Sequence, residues 1–255
     1  MHHCRTCNHS FTLITDEKRV HYTDDYYEEK HANWFNNPNY WLFDFIYSTV
    51  IKPIRKKDIC LIDVGCGKGD FLKYIRQRNP NLQLYGFDLS ENSFLGITFI
   101  KGDFLKDACS MKFDIICSFA AIEHVDDVIL FIEKLKEMLL PGGIAVITTD
   151  NTDGLFYALA RLLKRIGMVT PYYSLYELAH LQHFTNRSLR TLMERNGFRV
   201  VAHKNHNYPV EAIDMPRMHP AIKAAYLFCA KSIFLLTNRS FGILQTVVCR
   251  KEGSI

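Results

Sequence analysis

Four residues at alternate positions open the chemical reading. Asp63, Gly65, Gly67 and Gly69 sit in Leu61-Ile62-Asp63-Val64-Gly65-Cys66-Gly67-Lys68-Gly69, and the next apolar run ends on Asp88 in Tyr85-Gly86-Phe87-Asp88. Glycine lets a backbone turn sharply and admits a ligand where a Cβ would collide. A carboxylate at the end of the following strand can accept both hydroxyls of an adenosine ribose, although Asp88 also suits a plain turn. Such a loop alone fits several nucleotide-like ligands. A pyrophosphate site spaces its glycines G-x-G-x-x-G and keeps the helix N-terminus clear for the anion. Here the spacing is G-x-G-x-G, and Asp63 precedes it. A carboxylate repels phosphate and suits an ammonium group. S-adenosylmethionine carries an ammonium, a ribose and no phosphate, so it is favoured over a nicotinamide dinucleotide.

Transfer of a methyl group from a sulfonium is an in-line displacement, for which the protein must align the nucleophile and exclude water. A hydroxyl nucleophile also needs a base, whereas an amine needs only to arrive unprotonated. Imidazole titrates nearest neutrality, which makes His124, His180 and His183 the candidates. His124, paired with Glu123, follows the apolar run Phe113–Ser118, where the methyl group is expected. An equally open alternative is that it caps the next helix or bonds to backbone. A structural role weighs more for His183, and His180 is read as structural.

These residues need a scaffold. Apolar runs at 59–64, 82–87, 97–100, 113–118 and 144–149 read as buried strands, and periodic segments at 68–78 and 125–140 read as helices, the second closed by Pro141-Gly142-Gly143. Strands alternating with helices mean a parallel sheet covered on both faces. Later elements are less regular: helices at 155–166 and 188–196, strands at 198–202 and 241–249, and a helical insertion or cap at 207–237. Before the sheet, a helix is expected over 41–51, ended by Pro53. The division expected is a head and helical lid over 1–52 and an α/β domain over 53–255.

The chain has 255 residues, is 48% hydrophobic and 23% charged, and carries a formal charge of +4. That suits one soluble domain with a modest cap. Its basic clusters, at Arg55-Lys56-Lys57 and between Arg161 and Arg165, are short and separate, so no nucleic-acid partner is expected. Eight scattered cysteines and a polar start without an apolar leader point to a reducing, cytoplasmic setting. The stretch Ala221–Leu236 is interrupted by Lys223 and Lys231 and is too short to span a bilayer.

The loop Asp63–Gly69, Asp88, Lys101-Gly102-Asp103-Phe104, Phe113-Asp114-Ile115-Ile116-Cys117-Ser118, Ile122-Glu123-His124-Val125 and Leu139-Leu140-Pro141-Gly142-Gly143 together resemble the class I S-adenosylmethionine-dependent methyltransferases. His180–Phe198, with His183-Phe184-Thr185 and Asn196-Gly197-Phe198, is similar to the later part of the ubiquinone-type small-molecule O-methyltransferases. The likeness covers roughly residues 55–205. It implies a doubly wound, mostly parallel seven-stranded α/β sheet with a helical lid and a C-terminal insertion. It implies cofactor contacts from Asp63, Gly65, Cys66, Gly67, Asp88, Leu89, Asp103, Phe104 and Phe119, with Glu123, His124 and His183 catalytic. The product cofactor would be S-adenosylhomocysteine. The acceptor implied is a small molecule, methylated on a hydroxyl, such as a glycan or an isoprenoid or lipid-linked intermediate.

Departures from related enzymes narrow this. Phe119-Ala120-Ala121 replaces the Pro-Pro-Tyr of adenine N-methylation and the Pro-Cys of cytosine C5 methylation. Some related RNA methyltransferases place a metal-binding Glu three residues before the Glu-His pair; Ala120 stands there, so no catalytic metal is expected, although Glu123, His124 and His183 could still hold one weakly. Cys4-x-x-Cys7 could be half of a zinc site, but no second pair follows, and a flexible head is the stronger expectation. Aromatics crowd residues 22–47, and Tyr26 and Tyr27 are the expected substrate contacts. Residues 219–236 form an apolar helix whose default role is packing; a hydrophobic acceptor pocket or shallow membrane docking is the sharper role. Alternatives to O-methylation are N-methylation of a small amine, a nicotinamide-dependent oxidoreductase, and a non-catalytic cofactor-binding protein.

Overall fold

The computed structural model describes residues 1–13, 32–177, 179–213, 220–236 and 241–252. The strand-like runs become β3 (Cys60–Val64), β4 (Gln83–Asp88), β5 (Ile97–Lys101), β6 (Phe113–Phe119) and β7 (Leu139–Asp150), following the two-residue strands β1 (His2–His3) and β2 (Ser10–Phe11). Two further long strands, β9 (Phe198–His206) and β10 (Leu244–Lys251), complete a seven-stranded sheet in the order β5-β4-β3-β6-β7-β10-β9. β3 to β7 run parallel, and β10 is antiparallel to both its neighbours. This is the class I methyltransferase fold.

Alternate residues of the strands serve two cores. On one face, Ile62 and Val64 pack beneath α4 (Val128–Met138) and α7 (Asn186–Arg195), through Phe131, Leu135, Leu189 and Met193. On the other, Leu61 packs beneath α2 (Tyr40–Ile46) and α3 (Asp70–Arg78), through Phe43, Ile46, Phe71 and Ile75. Strands buried on both faces need unbroken apolar runs, which is why these segments lack an alternating pattern. The strand order reverses at β3, so the crevice beyond the carboxyl ends of β3 and β6 is where a ligand binds in such sheets.

Several boundaries differ from the sequence expectation. The helix expected over 125–140 is shorter, because the Asp127 side chain accepts from the Ile129 and Leu130 amides and starts α4 there. A separate 3₁₀ turn, Ile122–His124, precedes it. Pro141-Gly142-Gly143 does not close α4. It lies inside β7, where the register against β6 slips between Phe113 and Ile115; an irregularity of this kind accommodates a proline without an N–H. The helix expected over 41–51 is α2, capped by Asn39, running into a π turn at Tyr47–Ile51.

Among the described residues, α1 (Ala32–Asn36), α6 (Thr170–Leu175), β8 (Gln182–His183), β1 and β2 escaped the sequence reading; β1, β2 and β8 pair in that order as a small sheet. The head is thereby stitched to the core: the Thr12 amide donates to the Leu181 carbonyl at 2.8 Å, and His9 meets Gln182 at 2.9 Å. Between them lies α5 (Leu155–Arg165), and a 3₁₀ turn at Val210–Ala212 precedes α8 (Pro220–Leu236).

Candidate active site

The loop after β3 forms a nest whose members hold one another. Gly65 has φ +74°, and a Cβ there would lie 2.7 Å from the Ala121 Cβ, so only glycine fits. The Gly67 amide donates to Asp88 Oδ2 at 2.8 Å, and Ser90 donates to Oδ1 through its amide and hydroxyl at 2.9 and 2.7 Å. Asp88 is thus both a turn residue and the rim of the crevice. Asn92 closes the far side by donating to the Gly67 carbonyl at 2.7 Å.

Asp63 is the strained member. It is 2% exposed, and its Oδ1 has no hydrogen-bond partner. Burial, and secondarily the charge of Asp88, push its carboxyl well above the usual range. A buried carboxylate oxygen without a donor is a costly arrangement that a cationic ligand relieves. The ammonium of S-adenosylmethionine fits that need.

The other expected cofactor residues surround this nest with different duties. The Cys66 side chain turns inward, with Sγ 2.8 Å from where a Gly86 Cβ would stand, and burial raises its thiol. Leu89 is exposed at the rim, and Phe119 packs on Phe71 with ring centres 4.9 Å apart. Asp103 Oδ1 accepts from the Leu105 amide at 3.0 Å, while Oδ2 meets Lys106 at 2.8 Å. Burial would raise the Asp103 carboxyl, but those bonds outweigh it and hold it low. The Phe104 ring packs into the core against Phe87 and Phe131, at 5.5 and 5.2 Å. Phe35 of α1 leans over the loop, its ring 3.1 Å from the Cβ that Gly67 lacks. Tyr26 and Tyr27 lie outside the described residues.

A second constellation lies beyond β6 and β7. Ala120 takes φ +50°, a rare conformation for a residue with a Cβ, and its amide donates to the Thr148 carbonyl at 2.9 Å. This corner delivers Glu123 and His124. Glu123 is 1% exposed and accepts from Thr149 Oγ1 at 2.8 Å. Burial first, and then Asp150, push its carboxyl up to about 7. His124 Nδ1 lies 2.9 Å from the Ala179 carbonyl. A carbonyl only accepts, so Nδ1 carries the proton and Nε2 bears the lone pair of the neutral ring. The capping role considered for His124 belongs to Asp127 instead, whereas the backbone bond is real.

His180 joins this group, its ring centre 4.7 Å from that of His124. Its Nδ1 lies 2.8 Å from Asp150 Oδ2 and its Nε2 3.2 Å from Glu177 Oε1. The first contact is close but poorly directed, an ion pair rather than a hydrogen bond. Burial alone would lower the imidazole, but the carboxylates, Asp150 foremost, raise it to about 9. Among the described residues, Glu123, His124 and His180 bring ligand atoms within 4.8 Å of one another and could hold a metal. His183 stands apart from that trio. Its Nε2 meets Thr12 Oγ1 at 3.3 Å, and burial, with the His180 charge second, lowers it to about 4. Cys4 and Cys7 sit on the β1–β2 turn, where bonds from the Cys7 and Thr6 backbone lower the Cys4 thiol.

The comparisons with known proteins fall on this geometry. A family model described as a methyltransferase domain matches residues 32–203, more than half of the chain. The chain belongs to that family. This methyltransferase is similar to the ubiquinone biosynthesis O-methyltransferase of Chelativorans sp. (strain BNC1), 46% identical over 57 residues, 22% of this chain and 19% of that protein. It is also similar to the malonyl-[acyl-carrier protein] O-methyltransferase of Calditerrivibrio nitroreducens, 34% identical over 99 residues, 37% of this chain and 40% of that one. The chain thus matches less than half the length of these two relatives. In fold it resembles the plantazolicin methyltransferase BpumL, crystallised with a desmethylPZN analogue and SAH, at a TM-score of 0.56 and 16% identity over 89% of this chain and 88% of that one. S-adenosylmethionine is accordingly the cofactor of this domain, and the nicotinamide alternative is set aside.

Sequence reasoning missed Asp150, Thr149 and His206. Asp150 ends a buried strand, the signal that revealed Asp88, and could have been found in the same way. His206, buried at the end of β9, bonds Thr246 Oγ1 at 2.8 Å, which meets Thr148 Oγ1 at 2.6 Å. Burial lowers its imidazole to about 4.

Proposed function

We propose that this methyltransferase moves the methyl group of S-adenosylmethionine to a hydroxyl of a small-molecule acceptor, with His124 as general base. The observation that carries this is the His124 Nδ1–Ala179 carbonyl contact of 2.9 Å, which selects the tautomer with a basic Nε2, on a residue whose ring comes within 4.8 Å of the buried Glu123 carboxyl. Asp63 receives the ammonium of the cofactor, Gly65 and Gly67 admit its backbone approach, and Asp88 accepts the ribose hydroxyls. As the acceptor oxygen attacks, the O–C bond forms, the S–C bond breaks and S-adenosylhomocysteine leaves. The hydroxyl proton passes to His124 Nε2, and the carboxylates of Glu123 and Asp150 stabilise the imidazolium. His180, already tied to Asp150 and Glu177, positions that set.

A cavity of about 400 Å³ lies between Trp41, His206, Tyr208, Lys231 and Phe234, over the carboxyl end of β9. Its aromatic walls favour an acceptor with an apolar body, in keeping with an isoprenoid or lipid-linked intermediate, and the opposite charges of Lys231 and Glu211 in the lining leave it without a net charge preference. Residues 32–36, leaning over the loop, act as the described part of the lid. All eight cysteines are free, which supports a reducing, cytoplasmic setting.

The test is a panel of alcohol, phenol and amine acceptors, scored by S-adenosylhomocysteine release. His124→Ala is expected to lower kcat about 10²- to 10⁴-fold with cofactor affinity unchanged. Unchanged turnover on a hydroxyl acceptor would remove His124 from the mechanism. Turnover on amines alone would establish N-methylation instead.

A further inference from the structure

A helix that is apolar on every side belongs inside a core or against lipid. α8 is apolar throughout except for Lys223, Lys231 and Ser232, yet among its described side chains only Ala230 is buried. Phe228 is 74% exposed and Leu235 76%; they share one stripe of the helix, seven residues apart, with Lys231 between them. α8 leans on α5 through Phe234 against Phe156, ring centres 5.3 Å apart. α5 in turn buries only Tyr157 and Ala160, and leaves Leu155, Leu159, Leu162 and Ile166 exposed at helical spacing. α5 and α8, which touch through those rings, therefore each leave an apolar ridge exposed.

Charge selects what covers it. From Leu155 to Leu175 the chain carries Arg161, Lys164 and Arg165 and no acid, and α8 adds Lys223 and Lys231 with no acid. Acidic residues number 27 in 255 overall, so their absence from both helices is local, not compositional. A second copy docking this face on itself would bring like charges together, whereas an anionic bilayer complements both the charge and the ridge. Each Lys or Arg near such a surface contributes about 1 kcal/mol, and apolar side chains sink into the headgroup boundary. At roughly 1.5 Å per residue α8 is shorter than the ~30 Å hydrocarbon layer, and no described helix is long and apolar enough to cross a membrane.

We infer that α5 and α8 form a docking face for an anionic lipid bilayer, on which this methyltransferase lies without spanning it. Lys231 and Phe234 also line the cavity beside α8, so docking places that cavity next to the lipid surface. This last point rests on the acceptor reading above; the docking face does not.

The test is co-sedimentation of the full chain with vesicles of phosphatidylcholine alone and of phosphatidylcholine mixed with phosphatidylglycerol, at low and high salt. Pelleting is expected with the mixed vesicles at low salt, and weaker pelleting with the neutral ones or at high salt. Leu162→Glu combined with Phe228→Glu is expected to lower the partition coefficient at least about tenfold. Both positions are exposed, and unchanged S-adenosylmethionine binding will show that the variant is folded and that the cofactor reading stands by itself. No pelleting of the native chain, or equal pelleting of the variant, overturns the inference. So does a stable native dimer that the variant dissociates, since the face would then belong to a second copy.

Discussion

Replacing Asp63 by Asn tests the cofactor pocket at its strained point. The native carboxyl is 2% exposed with Oδ1 unpartnered, so the cofactor-free protein bears the cost of burying it, and the cofactor relieves that cost. Two opposite effects follow. A hydrogen bond to a charged group contributes about 1.5–3 kcal/mol, so Asp63→Asn is expected to weaken S-adenosylmethionine about 10- to 150-fold. The cofactor-free variant should instead melt at a higher temperature than the native protein. The pH dependence has a definite sign. The folded carboxyl is raised above its ordinary 3.8, so the native state holds the extra proton and stability falls as pH rises from there through the raised value. Pairing with the ammonium requires the ionised form, so native affinity should rise across that window. The variant should show neither slope. Calorimetric titration with S-adenosylmethionine and thermal melts, both across pH, supply the readings. Native-like affinity in the variant, or an unchanged pH slope, would refute the assignment of Asp63 to the ammonium.

Three further outcomes follow from the same geometry. Gly65→Ala forces a Cβ into the left-handed region at a cost of about 1–2 kcal/mol and drives it to 2.7 Å from Ala121; calorimetry should find cofactor binding lost and melting a Tm lower by roughly 5 °C. Asp150→Asn breaks a mostly buried pair at a cost of about 3–5 kcal/mol, or roughly 10 °C in Tm. Because His180 is raised from 6.5 to about 9, its contribution is complete below pH 6.5 and fades as pH rises through 9; melts across that range should show the decline in the native protein and not in the variant. Deleting residues 1–13 removes the strand beside Gln182–His183 and is expected to lower kcat by up to about 10²-fold through misplacement of the His180 segment, with cofactor affinity intact by titration.

The nest after β3 was legible because its signals are contiguous. Asp63, the alternate glycines and Asp88 belong to one strand, one turn and the adjacent strand, so spacing alone fixes their relation. The sheet was legible for a similar reason, since buried parallel strands must be apolar runs. Where the start of α4 moved, a local cap decided: Asp127, accepting from the Ile129 and Leu130 amides, outcompeted the hydrophobic period that carried the helix back to Val125. The register slip that seats Pro141 inside β7 depends on its partner Phe113, which no reading of the turn itself contains.

The catalytic half was less legible because it is assembled across the chain. His124 comes from the turn after β6, Asp150 from the end of β7, and His180 from the segment that the head holds through Leu181 and Gln182. The resemblance put His183 in the catalytic set; its Nε2 meets Thr12 Oγ1, while His180 lies beside His124. Asp150 explains the exchange. A carboxylate at the carboxyl end of a buried strand must find a cation, and His180 is the side chain within 2.8 Å. The argument that revealed Asp88 at the end of β4 therefore applies again at the end of β7. Acids that end buried strands recur here: at β4 Asp88 is held by Gly67 and Ser90 at the rim of the crevice, and at β7 Asp150 fixes the histidine beside the proposed base.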